Sequence, residues 1–141
     1  MFHEGDIVEI PLPDGRIAIG WLLHVSQRFK NAVGFVVFGI KDQLRDDVLH
    51  DAQMGNLASI AVLGPLYTHM DAIQHYGWKV YANQPITESK RLLTKRNVGG
   101  NVYVGDEFVA PLDTINESGL NPMLAMGMPV IYSEIAKAFG K

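Results

Sequence analysis

The chain contains no cysteine, which excludes a disulfide framework, a thiol nucleophile and a thiolate metal site. Charge is sparse: 19% of the 141 residues are Asp, Glu, Lys or Arg, and 15 acids against 12 bases leave a net charge of -3. No overall basic field is present to hold a phosphate backbone, so nucleic acid is disfavoured as a partner. Nowhere do about 18 uncharged apolar residues follow one another, so no membrane-spanning helix is expected. Met1 to Asp6 lack a basic stretch leading into an apolar run, so no secretory leader is read there and the expected location is the cytoplasm. There is no Gly-x-Ser-x-Gly elbow, no His-Glu-x-x-His and no phosphate loop, so no enzyme is expected and no cofactor is implied.

A hydrophobic content of 48% in 141 residues is that of one folded domain, 1–141, long enough to bury its own core. Its clearest local signal is at the start. Ile7 to Leu12 and Ile17 to Val25 are apolar stretches around Pro13-Asp14-Gly15, a turn in which Asp bonds into the backbone and Gly supplies positive φ. In the second stretch Ile17, Ile19, Trp21, Leu23 and Val25 share one face, which is wholly bulky. Arg16, Ala18, Gly20, Leu22 and His24 share the other. Ala32 to Ile40 is a nearly continuous Val- and Phe-rich run, read as a buried strand completing a meander of three.

Lys41 to Asn56 is polar, with Asp42, Asp46, Asp47 and Asp51 crowded into it, and reads as an exposed helix or long loop. Leu57 to Leu63 suits a short strand bounded by Gly64-Pro65. Thr68 to Asp71 matches a capping box, and Gly77 a left-handed helix end, which predicts a helix over His69 to Tyr76. Trp78, Val80 and Ala82 alternate as a strand that stops by Pro85. Val98-Gly99-Gly100-Asn101 reads as a turn leading into strand residues Val102 to Val104. Gly105-Asp106 and Pro111-Leu112 repeat the spacing of Gly5-Asp6 and Pro11-Leu12, read as two strands entered and left in similar ways and not as a repeat. Asn121-Pro122 opens a short predicted helix, and a last helix is expected near Ser133 to Phe139 with Ile135 and Phe139 inward. The pattern predicts an α+β, mainly β fold: a twisted antiparallel sheet or partly open barrel with short peripheral helices.

The chemistry-bearing residues are few. His69 and His75 are six apart, roughly 240° around a helix axis, which is a poor spacing for metal ligation, and Asp71 is read as a capping carboxylate. No metal site is expected. The adjacent acids Asp46-Asp47 and Asp106-Glu107 read as solvated faces. Lys90 to Arg96 holds four cations without the aromatic interleaving of a single-strand binder, and is read as solvating an edge. Trp21 and Trp78 sit in apolar strand patterns and are assigned to the core.

The opening Gly5-Asp6-Ile7-Val8-Glu9-Ile10-Pro11-Leu12-Pro13-Asp14-Gly15-Arg16, with Ile17 to Trp21, resembles in order the start of the immunity protein 26 family of bacterial polymorphic toxin systems. Gly64-Pro65-Leu66-Tyr67-Thr68-His69-Met70-Asp71-Ala72-Ile73 and Tyr76-Gly77-Trp78-Lys79-Val80 are similar to a later family segment, where a short helix leads to a Trp-containing strand. The likeness spans most of Gly5 to Pro85. It implies a scaffold that neutralises a cognate protein toxin by stoichiometric binding. Asp42, Asp46, Asp47 and Asp51 are the candidate partner-binding residues, offering an acidic surface to a basic toxin face. Two other readings are a β-barrel nucleic-acid-binding module, and a small hydrolase whose site is assembled from distant residues.

Overall fold

The computed structural model describes residues 2–26, 32–43, 63–86, 96–98, 101–104, 106–111 and 126–140. The first three strands form the expected meander: β1 (Asp6–Pro11), β2 (Ile17–Val25) and β3 (Ala32–Ile40). Their turn chemistry is as the sequence predicts. Gly15 takes φ 90°, the Arg16 amide donates to Asp14 Oδ1 at 3.0 Å, and the Leu12 amide donates to the Arg16 carbonyl at 2.9 Å. Pro11 lies opposite Ile17 and Ile7 opposite Trp21, which fixes the register of the hairpin.

Two more strands, β4 (Leu63–His69) and β5 (Lys79–Asn83), join the meander in one antiparallel sheet of order β4-β3-β2-β1-β5. A separate three-stranded sheet is built from β6 (Arg96–Val98), β7 (Asn101–Val104) and β8 (Glu107–Pro111), in that order. Val98 lies opposite Asn101, in keeping with the turn predicted between them. The two helices among the described residues are α1 (Met70–His75) and α2 (Met128–Phe139). The fold is therefore α+β and mainly β, and the larger sheet is open and not closed into a barrel.

The larger sheet is buried on both faces. On one, Val8, Ile10, Ala18, Leu22, Val33, Phe35 and Val37 meet Ile73 of α1 and Met128, Ile131 and Ile135 of α2. On the other, Ile7, Ile19, Trp21, Leu23, Val36 and Phe38 pack together, bordered by Ala82 and Ile86. Of the bulky face predicted for β2, Ile19, Trp21 and Leu23 do lie together, whereas Val25 packs with the opposite cluster, which is the one the helices cover. Small residues there allow close approach: a Cβ on Gly20 would lie 3.2 Å from Ile10 Cδ1. The register shift between Leu22 and His24 sets Val25 opposite Val33 and against the helix-covered cluster, so the alternation of β2 changes face there. Burial on both sides explains why β3 is apolar throughout instead of alternating.

Three local expectations are corrected. Gly64-Pro65 does not end a strand: the two lie within β4, joined by a cis peptide bond, at the sheet edge where a missing N–H is tolerated. Residues 57–62 of the predicted strand lie outside the described residues. The capping box does not form. Thr68 is fully buried in β4 and its hydroxyl donates to the Met126 carbonyl at 2.8 Å, which leaves His69 as the residue before α1, with no side-chain cap. A tertiary acceptor has taken the hydroxyl that the local pattern reserved for the helix. Finally, α2 starts five residues before Ser133, at Met128, with Pro129 in its first turn. The Asn121-Pro122 helix lies outside the described residues.

The end of α1 does follow the sequence. Gly77 has φ 77°, its amide donates to the Gln74 carbonyl at 3.4 Å, and the Trp78 amide donates to the Ile73 carbonyl at 3.1 Å. This is a Schellman arrangement. Ile73 and Trp78, its hydrophobic partners, both enter the helix-covered core. The two tryptophans are core residues, yet in different states. Trp21 Nε1 donates to the carbonyls of Gly5 and Gln84, at 3.2 and 3.1 Å. Trp78 packs edge-on against Phe35 at 5.1 Å, and its Nε1 is the one buried side-chain polar atom without a partner among the described residues.

Candidate functional site

Of the predicted partner-binding residues, Asp42 lies on a short 3-10 turn, Lys41–Gln43, that leaves β3, and it is exposed. Its neighbour Lys41 reaches back to Glu9 of β1 at 2.6 Å, so the turn is tied to the sheet while Asp42 points to solvent. Asp46, Asp47 and Asp51 lie outside the described residues, as do 90–95 of the basic stretch. His69, Asp71 and His75 are all exposed, and the His75 ring meets Tyr76 edge-on at 5.0 Å. Among the described residues no group of three His, Asp or Glu side chains could hold a metal ion. No helix among the described residues is long and apolar enough to cross a membrane.

The most concentrated polar chemistry lies elsewhere, at the end of β2. His24 is 5% exposed and lies opposite Gly34 of β3. Its Nδ1 is 3.3 Å from Glu4 Oε1, and its Nε2 is 3.1 Å from Asp106 Oδ1. Ser26, fully buried, donates from its hydroxyl to the same Asp106 oxygen at 2.5 Å. Glu4 belongs to the segment before β1 and Asp106 immediately precedes β8, so one imidazole joins three parts of the chain. Both carboxylates keep an opening to solvent, at 49% and 33% side-chain exposure, while the imidazole between them does not.

This arrangement comes from ordinary strand geometry. β2 carries His24 on into a position where its strand neighbour β3 offers only glycine. The ring of Tyr67 lies over that glycine, since a Cβ there would be 2.8 Å from Tyr67 Cε1. The segment before β1 is held close by Gly5: its amide donates to the Leu22 carbonyl at 2.7 Å and its carbonyl accepts from the Gln84 amide at 2.9 Å. With φ 87° and a Cβ position 2.7 Å from the Gln84 carbonyl, only glycine fits there. Asp6 completes the turn, accepting from the His3 amide at 2.7 Å and from Asn83 Nδ2 at 3.0 Å. Glu4 is thereby delivered to His24.

Serine, histidine and aspartate together invite comparison with a hydrolytic triad, and the geometry differs from one. A triad places the imidazole between hydroxyl and carboxylate so that it can take the hydroxyl proton. Here both hydroxyl and imidazole turn onto one carboxylate oxygen, and the serine is buried. The arrangement does not place the imidazole to take the serine proton. Sequence reading missed it because its members are separated by 20 and 82 residues. The available signal was His24, a polar side chain in an otherwise apolar strand. Asp106, read as part of a solvated acidic pair, is instead turned inward, while Glu107 beside it is exposed.

No family model, curated protein or solved structure matches the chain.

Proposed function

We propose that the chain neutralises a cognate bacterial protein toxin by direct stoichiometric binding in the cytoplasm, without turnover of a substrate. The reading rests on the resemblance of Gly5 to Pro85 to the immunity protein 26 family. Support comes from how those residues are used: Gly5, Trp21, Gly64, Gly77 and Trp78 are each committed to backbone conformation or core packing. A motif that builds a scaffold leaves recognition to the surface, where affinity comes from a few anchors and charge complementarity speeds encounter.

The observation that carries the site is the exposure of Asp42 at the start of the acidic segment, on a turn fastened to the sheet by Lys41 and Glu9. Asp42, Asp46, Asp47 and Asp51 then present a negative surface to a basic toxin face. Coexpression with the product of the adjacent gene should convert a lethal protein into a tolerated one; continued lethality overturns the pairing. With that toxin, replacing the four aspartates by Asn should slow association and flatten its dependence on salt. Unchanged association kinetics would place the interface elsewhere. Retention on heparin that rising salt abolishes would instead favour a nucleic-acid partner.

A further inference from the structure

We infer that the Asp14-Gly15 bond in the β1–β2 turn is a latent self-modification site, at which the backbone can reroute through the aspartate side chain by way of a cyclic imide, and that Arg16 holds it closed.

The reactive pairing follows from the turn. Gly15 has φ 90°, and a Cβ there would meet nothing within 4 Å, so the hairpin demands glycine for its backbone conformation and not for lack of space. Having no side chain, Gly15 also leaves its own amide nitrogen unshielded. That nitrogen is the nucleophile: it bonds to Asp14 Cγ while its proton and the carboxyl hydroxyl depart as one water, closing a five-membered imide. A second water then opens the imide at either carbonyl. Entry at Cγ restores aspartate. Entry at the main-chain carbonyl leaves the chain running through Cβ and Cγ, with a free α-carboxylate beside it. Water is the co-reactant, nothing is oxidised or reduced, and the mass is unchanged. The Asp14 side chain is 49% exposed, so water has access.

Several contacts oppose ring closure. The Gly15 amide donates to the Leu12 carbonyl at 3.0 Å, which occupies the nucleophile. Asp14 Oδ1 accepts from the Arg16 amide at 3.0 Å and Oδ2 from Arg16 Nε at 2.7 Å. Both oxygens are thus drawn to Arg16, and the carboxyl must leave them to present its carbon to Gly15. The same contacts, the Arg16 amide most, hold the Asp14 carboxyl below its ordinary value against opposing desolvation. An ionised carboxylate has no hydroxyl to lose and is a poor electrophile.

The guanidinium is fixed in turn from outside the hairpin. Arg16 Nη2 donates at 3.1 Å to the carbonyl of Gly140, just after α2 and 124 residues away. The turn is therefore closed by the tertiary fold as well as by its own sequence. Rerouting adds a backbone atom to the loop that sets Pro11 opposite Ile17, so modification would loosen the hairpin and draw Arg16 from the end of α2.

The test is long incubation of the folded protein in mildly acidic buffer, then digestion and chromatographic mass spectrometry that separates aspartate from isoaspartate in the fragment holding Asp14-Gly15. A synthetic peptide from Ile10 to Ala18 keeps Arg16 but lacks Gly140, and should accumulate isoaspartate roughly tenfold faster than the protein, since the turn bonds are lost with the fold. Arg16→Gln retains the main-chain donor and removes the guanidinium. It should speed the reaction in the folded protein about two- to fivefold, the population change that an exposed ion pair supports. Ile73→Val, a buried change in α1 that lowers stability away from the turn, should leave the rate at the parent value, which separates release of the turn from opening of the whole fold. No isoaspartate in the peptide, or equal rates in peptide and parent, overturns the latent site. An Arg16→Gln rate equal to the parent's, or an equal acceleration by Ile73→Val, overturns the role of Arg16.

Discussion

The two sheets differ in how their side chains meet solvent. In the five-stranded sheet, both faces of β2 and β3 enter apolar clusters, and helices α1 and α2 close one side with Ile73, Met128, Ile131 and Ile135. Each fully buried aliphatic or aromatic side chain contributes roughly 1.5–3 kcal/mol, and the contribution hardly depends on pH or salt. In the three-stranded sheet, Phe108 and Val109 are exposed, at 53% and 46%. Asp106, just before β8, is bonded to His24 and Ser26 at the end of β2. Hydrogen bonds are directional, whereas apolar burial is not. The difference teaches that the larger sheet is organised by buried apolar area, whereas polar contacts to the end of β2 mark where β8 begins.

The comparison can be broken most severely from the apolar side. Phe35 is fully buried, packs on Trp78 and sits at the centre of the helix-covered cluster. Phe35→Ala should cost about 3–5 kcal/mol, lowering the urea midpoint of the whole protein without introducing pH dependence. If only the three-stranded sheet were lost, the apolar cluster would not be the organising core.

A finer contrast lies between the tryptophans. Trp21→Phe leaves the carbonyls of Gly5 and Gln84 without the indole donor and opens a cavity, an expected loss of about 2 kcal/mol. Trp78→Phe keeps an aromatic edge against Phe35 and removes an N–H that has no partner, so it should cost about half as much. Denaturant unfolding of the two variants checks the order; equal losses would mean that the Trp21 hydrogen bonds add nothing.

The smallest effect belongs to the β1–β2 turn. The Arg16 amide, donating to Asp14, is the largest influence and holds that carboxyl below its ordinary value; opposing desolvation comes next, and the guanidinium adds to the lowering. A depressed carboxylate stabilises the folded state above its unfolded pKa and loses that contribution as pH falls through the folded one. Asp14→Asn should therefore give a slight loss of stability at neutral pH that disappears in acid, read as converging midpoints of variant and parent. A difference that persisted at low pH would assign the loss to turn shape and not to charge.

How much was legible in advance can be judged from particular residues. The hairpin at Asp14-Gly15, the left-handed Gly77 and the buried run of β3 depend on neighbours within a few positions, and sequence periodicity captures such dependence. Thr68 was misread because two acceptors compete for one hydroxyl, and the winner, the Met126 carbonyl, is 58 residues away. The likeness between Gly5-Asp6 and Gly105-Asp106 was half informative: both strands end at proline, Pro11 and Pro111. Yet Asp6 is the first residue of β1, whereas Asp106 precedes β8 and serves His24. Of the acidic segment, Asp42 alone falls among the described residues, exposed as expected.

By itself the sequence determined the class of fold, the turn at Asp14-Gly15 and the commitment of both tryptophans to the core, because each follows from local stereochemistry or alternation. Only the tertiary structure decided which face of β2 the helices cover, that the sheet stays open, and that Glu4, His24, Ser26 and Asp106 converge. Such convergence depends on strand order and register shifts, which bring together residues with no relation along the chain. A charge acquires its role from what surrounds it in space: Asp106, next to the exposed Glu107 in sequence, reaches His24 and Ser26.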